Sequence, residues 1–119
     1  MTDEKKRMLQ ERMAALHKKY CDQLPDKYHE IEDSWKQYQT NFSNPAFIEL
    51  FYRLIHTLKG TAATFGFIKQ ADICFEIQKL LLTVKEDQSS LPESSITQIH
   101  EHLAELKANI NAPAENISN

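Results

Sequence analysis

The chain has 119 residues, 41% of them apolar, which is enough for one core in one compact domain. A net charge of −3 argues against a general nucleic-acid binder, and two glycines with four prolines supply too little turn chemistry for a sheet protein. The charged opening "MTDEKKRM" has no signal-peptide core behind it, and no run nears the roughly 18 apolar residues that span a bilayer, so no membrane segment is expected. Cys21 and Cys74 form no CxxC and read as free thiols of a reducing cytoplasm, with a disulfide between them left open.

Residues 3 to 21 carry Met8, Leu9, Met13, Leu16 and Tyr20 among many charges, the pattern of an amphipathic helix with Thr2 as its N-cap. Pro25 reads as a break. Leu24, Tyr28, Ile31, Trp35, Tyr38 and Phe42 then recur at spacings of three and four, which predicts a second helix. In "NFSNPAF", Asn44 suits a cap and Pro45 a first helical position. The third helix is expected from Pro45 to about Phe65, with Phe47, Leu50, Phe51, Leu54, Leu58, Ala62 and Phe65 as its apolar positions. Gly66 follows where a helix end often needs positive φ. A fourth helix runs from about Phe67 to Lys85, with Ile73, Ile77, Leu80, Leu81 and Val84 on its core side. After the polar "EDQSSLPESS", a last helix carries Ile96, Ile99, Leu103, Leu106 and Ile110. The expected fold is all-α: an antiparallel up-and-down four-helix bundle over residues 23–111, an additional N-terminal helix over residues 1–22, and a flexible tail over residues 112–119.

Both glycines fall in "LIHTLKGTAATFG", Leu54 to Gly66. At about 100° per residue, Tyr52, Arg53, Lys59, Gly60 and Ala63 all lie within roughly 60° of His56, and the main apolar stripe lies away from it. Glycine inside a helix costs about 1 kcal/mol relative to alanine, so Gly60 needs a reason. One turn beyond His56, it removes any side chain beside the imidazole, and Ala63 keeps the next turn small. Lys59 adds an ammonium that favours an anion nearby. This is the pattern of an accessible nucleophile beside a positive charge, since a neutral imidazole nitrogen can attack phosphorus or carbon. A tight turn at Gly66 and Phe67 would set Gln78 of the next helix opposite His56. There its amide can hold one ring nitrogen and leave the other free.

These residues resemble the histidine-containing phosphotransfer (HPt) domain family, whose pattern H-x-x-K-G, small residues and a second glycine stands here as His56, Lys59, Gly60, "TAAT" and Gly66. The family's glutamine on the following helix matches Gln78, and "LPDKYHEIEDSW" resembles the family's helix before the histidine helix. The likeness spans about residues 20 to 110. A second cation that some members carry one turn beyond the glutamine is Leu82 here.

The resemblance implies that His56 takes a phosphoryl group on Nε2 from a receiver-domain phosphoaspartate and passes it to another receiver aspartate. Lys59 and Gln78 would assist, and Tyr52, Arg53, Thr57, Ala63, Phe75 and Leu82 would form the docking face. It further implies partner receivers, one of them on a hybrid sensor histidine kinase, in the cytoplasm. The chain itself would bind no cofactor, with Mg²⁺ on the receiver, and would act as a phosphocarrier rather than a kinase. No nucleic-acid, membrane or metal partner is expected: His100 and His102 are two apart and do not face one way, and His17 and His29 have no ligand cluster.

The same residues also admit two other readings. In one, the chain is a helical adaptor whose Gly60 merely allows close helix contact. In the other it is part of a hybrid kinase, although "HTLKGT" lacks the proline of kinase dimerisation helices and the chain has no glycine-rich nucleotide-binding segment.

Overall fold

The computed structural model describes residues 2–41, 44–87 and 91–111, without the side chains of residues 85–87. Four helices are found among them: α1 (Asp3–Thr40), α2 (Pro45–Thr64), α3 (Ile68–Asp87) and α4 (Glu93–Asn111). They run alternately up and down. The α2–α3 contact is the most extensive, α1 packs on α2, α3 packs on α4, and α1 meets α4 more loosely.

The separate N-terminal helix expected from Pro25 is not formed. Residues 3–22 are instead the first half of the 38-residue α1, which runs through Pro25 unbroken. A proline in a helix interior costs about 3 kcal/mol, because it removes a hydrogen bond and crowds the preceding turn. Against this, Tyr20, Leu24, Tyr28, Ile31, Trp35 and Tyr38 are all buried along one stripe that crosses the proline. Each such side chain contributes about 1.5–3 kcal/mol. Breaking the helix at Pro25 would cut the stripe between Leu24 and Tyr28, so packing overrides local propensity. Thr2 caps α1, its Oγ1 accepting from Lys5 N at 3.2 Å, and Asp3 and Glu4 complement the helix dipole. Phe42 and the tail over residues 112–119 lie outside the described residues.

At 1.5 Å per residue α1 is about 57 Å long, which accounts for the molecule's 56 Å long axis. The other helices have 19 or 20 residues. Only the part of α1 from Tyr20 onward is buried by them, and everything from Asp3 to Leu16 is exposed.

α2 begins at Pro45, with Asn44 Oδ1 accepting from Ala46 N at 3.0 Å. It ends on Gly66, whose φ of 82° is the left-handed value that glycine adopts without strain. Gly66 N donates to Ala63 O (3.2 Å) and Phe67 N to Ala62 O (2.8 Å), the paired bonds of a Schellman cap. This cap reverses the chain in a few residues and fixes the register of α2 against α3.

The buried stripe of α2 is Ile48, Phe51, Ile55, Leu58 and Ala62. Leu50, placed on the apolar face by spacing, is exposed, while Phe47, Leu54 and Phe65 are only partly covered. The run "AFIELFYRLI" is apolar on more than one face, so spacing alone does not fix the helix phase. Polar side chains also tie the bundle together. Tyr20 Oη donates to the buried Gln70 Oε1 (2.8 Å), Tyr28 Oη to Leu103 O (3.2 Å), and Leu91 N to Tyr38 Oη (3.2 Å).

Candidate functional site

The α2 phase described above buries Ile55 completely and leaves its neighbour His56 exposed on the shoulder facing α3. The Gly66 reversal brings Gln78 of α3 across from it, as the helix register predicts. Gln78 Nε2 lies 3.3 Å from His56 Nδ1 and donates to Tyr52 Oη at 2.8 Å. Tyr52, one turn before His56, lays its ring almost parallel to the imidazole, at 6° and 6.1 Å between centroids. The imidazole is thus fixed from two sides, by a ring on its own helix and an amide on the next. Its Nε2 forms no hydrogen bond with any described residue.

Gln78 is only 9% exposed, and its Oε1 is buried without a hydrogen-bond partner among the described residues. One face of the amide is engaged and the other is not. A buried polar atom left in this way costs about 1–3 kcal/mol, a cost the fold also carries at Trp35 Nε1 and Gln70 Nε2.

A Cβ added at Gly60 would meet nothing within 4 Å. No neighbouring helix requires a glycine there, so close helix packing within the chain does not account for it. What Gly60 leaves open is the space one turn along from the imidazole.

Lys59 extends toward α3, its Nζ 5.3 Å from the centre of the Phe75 ring, and Lys79 Nζ lies 5.0 Å from the same ring. Two ammonium groups therefore flank one half-exposed phenyl ring, within cation–π range. Lys79 also pairs with Glu76 (2.9 Å), whereas Lys59 joins no ion pair with a described residue. Sequence reasoning passed over Lys79, although it stands four residues after Phe75 on the same face. It also placed Tyr52 on the docking face without its bond to Gln78.

Cys74, beneath Lys59, is buried, and burial pushes its thiol up to about 12 despite the opposing charge of Lys59. It stays protonated and is no competing nucleophile. Both cysteines are free, so the disulfide left open above is not formed. Arg53, Thr57 and Ala63 are exposed on α2 and Leu82 on α3, with no contact to His56 among the described hydrogen bonds and ring pairs.

Of the other four histidines, His29 is exposed and three make contacts within the fold. His17 stacks on Phe67 at 5.1 Å, His100 meets Trp35 edge-on and bonds Gln39 (3.0 Å), and His102 lies 3.4 Å from Glu105. Among the described residues no cluster of three or more His, Cys, Asp or Glu side chains could hold a metal ion, and no helix is long and apolar enough to cross a membrane.

The family model described as "Hpt domain" matches residues 15–109. The chain belongs to the Hpt domain family. Hpt domains carry out histidine phosphotransfer in phosphorelays, working with receiver domains. No curated protein and no solved structure matches the chain. The matched span takes in His56 to Gly66 of α2, Gln78 on α3 and α1 from two residues before His17, so Pro25 lies inside the matched domain.

Proposed function

We propose that His56 is the phosphoacceptor, taking a phosphoryl group from a receiver phosphoaspartate and delivering it to a second receiver, one of the two borne by a hybrid sensor kinase. The observation that carries this reading is the constellation around one ring: Nδ1 3.3 Å from Gln78, Nε2 without a hydrogen bond among the described residues, and open space at Gly60. In the forward step Nε2 attacks phosphorus in line with the aspartyl oxygen. The N–P bond forms, the P–O bond to the aspartate breaks, and the carboxylate leaves with the electron pair. A Mg²⁺ ion held by the receiver would neutralise charge on the transferring group. His56 supplies the nucleophile and Lys59 a cation one turn along, while Phe75 and Leu82 offer apolar area for docking. The relay reading places the chain in the cytoplasm, beside its receivers.

The tautomer is the step that Gln78 governs. With Gln78 Nε2 donating, Nδ1 accepts and the ring proton sits on Nε2, where no lone pair is available. A half-turn of the carboxamide puts Oε1 in the same place, where it accepts from Nδ1–H and faces Tyr52 Oη. The lone pair then lies on Nε2. Each orientation leaves one amide atom unsatisfied, so the hydrogen-bond count alone favours neither. After transfer the ring carries phosphorus on Nε2 and a proton on Nδ1, which Oε1 continues to accept.

The test is phosphotransfer profiling: the purified chain is mixed with labelled phosphorylated receivers. Acid-labile label should appear on the chain and be absent from His56→Gln. Refusal of every receiver by a folded chain, or label that persists in the variant, would contradict the reading.

A further inference from the structure

The first half of α1 carries a pattern that the phosphotransfer site does not use. Leu9, Met13 and Leu16 are 50%, 44% and 49% exposed, and the next member of their series, Tyr20, is 3% exposed. Tyr20 is covered by the α2–α3 turn, its ring 5.2 Å from Phe65 and 5.3 Å from Phe67. The arm before it projects past the bundle, and most of it precedes the family match, which starts at residue 15.

Leu9, Met13, Leu16 and Tyr20 are separated by four, three and four residues, the a/d seam of a heptad repeat. In that register the three g positions are Lys5, Arg12 and Lys19, all cationic. None of these side chains joins an ion pair with a described residue. The arm's own pairs are Arg7–Glu11 (3.9 Å) and Lys18–Asp22 (2.8 Å), at b, c and f positions away from the seam. Glu4, Glu11 and Asp22 are therefore kept on the reverse side and Asp3 on the far edge, while the g edge of the seam is left uniformly positive.

We infer that this arm is one strand of a heterotypic two-stranded coiled coil, its partner being a helix whose apolar seam is edged by carboxylates. A second copy of the chain fits poorly. Antiparallel pairing sets g against g, cation against cation, and parallel pairing sets Lys5 and Arg12 against Gln10 and His17, which carry no negative charge. A lipid surface also fits less well. The seam is only ~60° wide, whereas an interfacial helix presents a broad apolar face with cations on both edges. Here the opposite edge is Asp3, Gln10 and His17. A partner with Glu or Asp at e (parallel) or g (antiparallel) would meet all three cations, and its end would abut the half-exposed Ile68 beside the α2–α3 turn. Lys6 at the preceding a position ends the seam at one end and the buried Tyr20 closes it at the other, so the free seam is Leu9, Met13 and Leu16, about one heptad, and its affinity is modest.

The test uses the full chain, ¹⁵N-labelled, and two synthetic three-heptad peptides with Leu at a and d, one with Glu and one with Lys at e and g. The Glu peptide should shift amide signals confined to residues 5–19 and bind at least tenfold more tightly than the Lys peptide. Lys5→Glu/Arg12→Glu/Lys19→Glu should invert that preference, and Leu9→Ser/Leu16→Ser should abolish the shifts without unfolding the bundle. Four outcomes would overturn the inference: no response to the Glu peptide at millimolar concentration, equal response to both peptides, a wild-type dimer in sedimentation that Leu9→Ser/Leu16→Ser dissolves, or co-flotation with phosphatidylserine vesicles that the same variant removes.

Discussion

On the α2–α3 face the exposed imidazole is held by groups distant in sequence: Gln78 is 22 residues from His56 and 26 from Tyr52. On the N-terminal arm of α1 the ion pairs stay within the helix, as in Arg7–Glu11 and Lys18–Asp22, and only His17 at its inner end stacks on a residue outside α1, Phe67. Both surfaces are exposed and both mix apolar with charged groups, so exposure alone does not distinguish them. A ring that must meet phosphorus along one line needs its orientation fixed by another element, because small misplacements of reacting atoms cost large factors in rate. A strand awaiting a partner helix needs only a face, and its order is completed on binding. The α2–α3 face should therefore respond to substitution in rate, and the arm in neither rate nor stability.

The sharpest test of that contrast is Gly60→Leu. Nothing stands within 4 Å of the added Cβ, so the bundle should gain about 0.8–1 kcal/mol of helix propensity. Phosphoryl transfer should nevertheless fall by on the order of 100-fold, since the new side chain occupies the approach to the imidazole. Thermal melts and receiver-to-His56 transfer rates read the two signs separately, and a parallel rise in both would break the account. Gln78→Leu comes next, with transfer slowed about tenfold and the ¹⁵N shifts of His56 moving away from the Nδ1–H tautomer. A slowed rate with unchanged shifts would assign Gln78 to packing alone.

Cys74 gives a smaller effect through pH. Its thiol is pushed up to about 12 by burial, from an ordinary value near 9. Between those values the unfolded chain has lost the proton and the folded chain has kept it, so the thiol's contribution to stability should be level below pH 9 and fall as pH rises toward 12. Urea midpoints of Cys74→Ala across that range should show a shallower fall, whatever its offset in stability. An equal slope would place the alkaline sensitivity elsewhere, with Tyr20, also raised by burial, as the next group to examine. The smallest effect is expected on the arm. Leu9→Ser/Leu16→Ser should change the unfolding free energy by less than about 0.5 kcal/mol, as surface substitutions do, because both side chains are about half exposed. A larger loss would mean the arm supports the bundle.

Much of this contrast was legible in the sequence. Helix content followed from three-and-four spacing, the α2 boundaries from Asn44-Pro45 and Gly66, and the Gln78–His56 juxtaposition from counting residues across one tight turn. Three features were not legible, each for a physical reason. Pro25 reads as a break by propensity, and only the stripe from Tyr20 to Tyr38, buried as a unit, shows why α1 passes through it. The apolar run before His56 permits two helix phases, and tertiary packing selects Ile48 and Ile55 over Leu50. The bond from Gln78 to Tyr52 and the two ammonium groups on Phe75 depend on side-chain reach between helices, which periodicity does not encode.

The central claim is that a single imidazole nitrogen, the Nε2 of His56, receives phosphorus while Gln78 keeps a proton on Nδ1. The direct measurement is ¹⁵N and ³¹P NMR of the ring-labelled chain after transfer from a phosphorylated receiver. The account predicts one phosphorylated histidine, substituted at Nε2, with a one-bond proton on Nδ1. Phosphorus on Nδ1, or on any of the other four histidines, would contradict it.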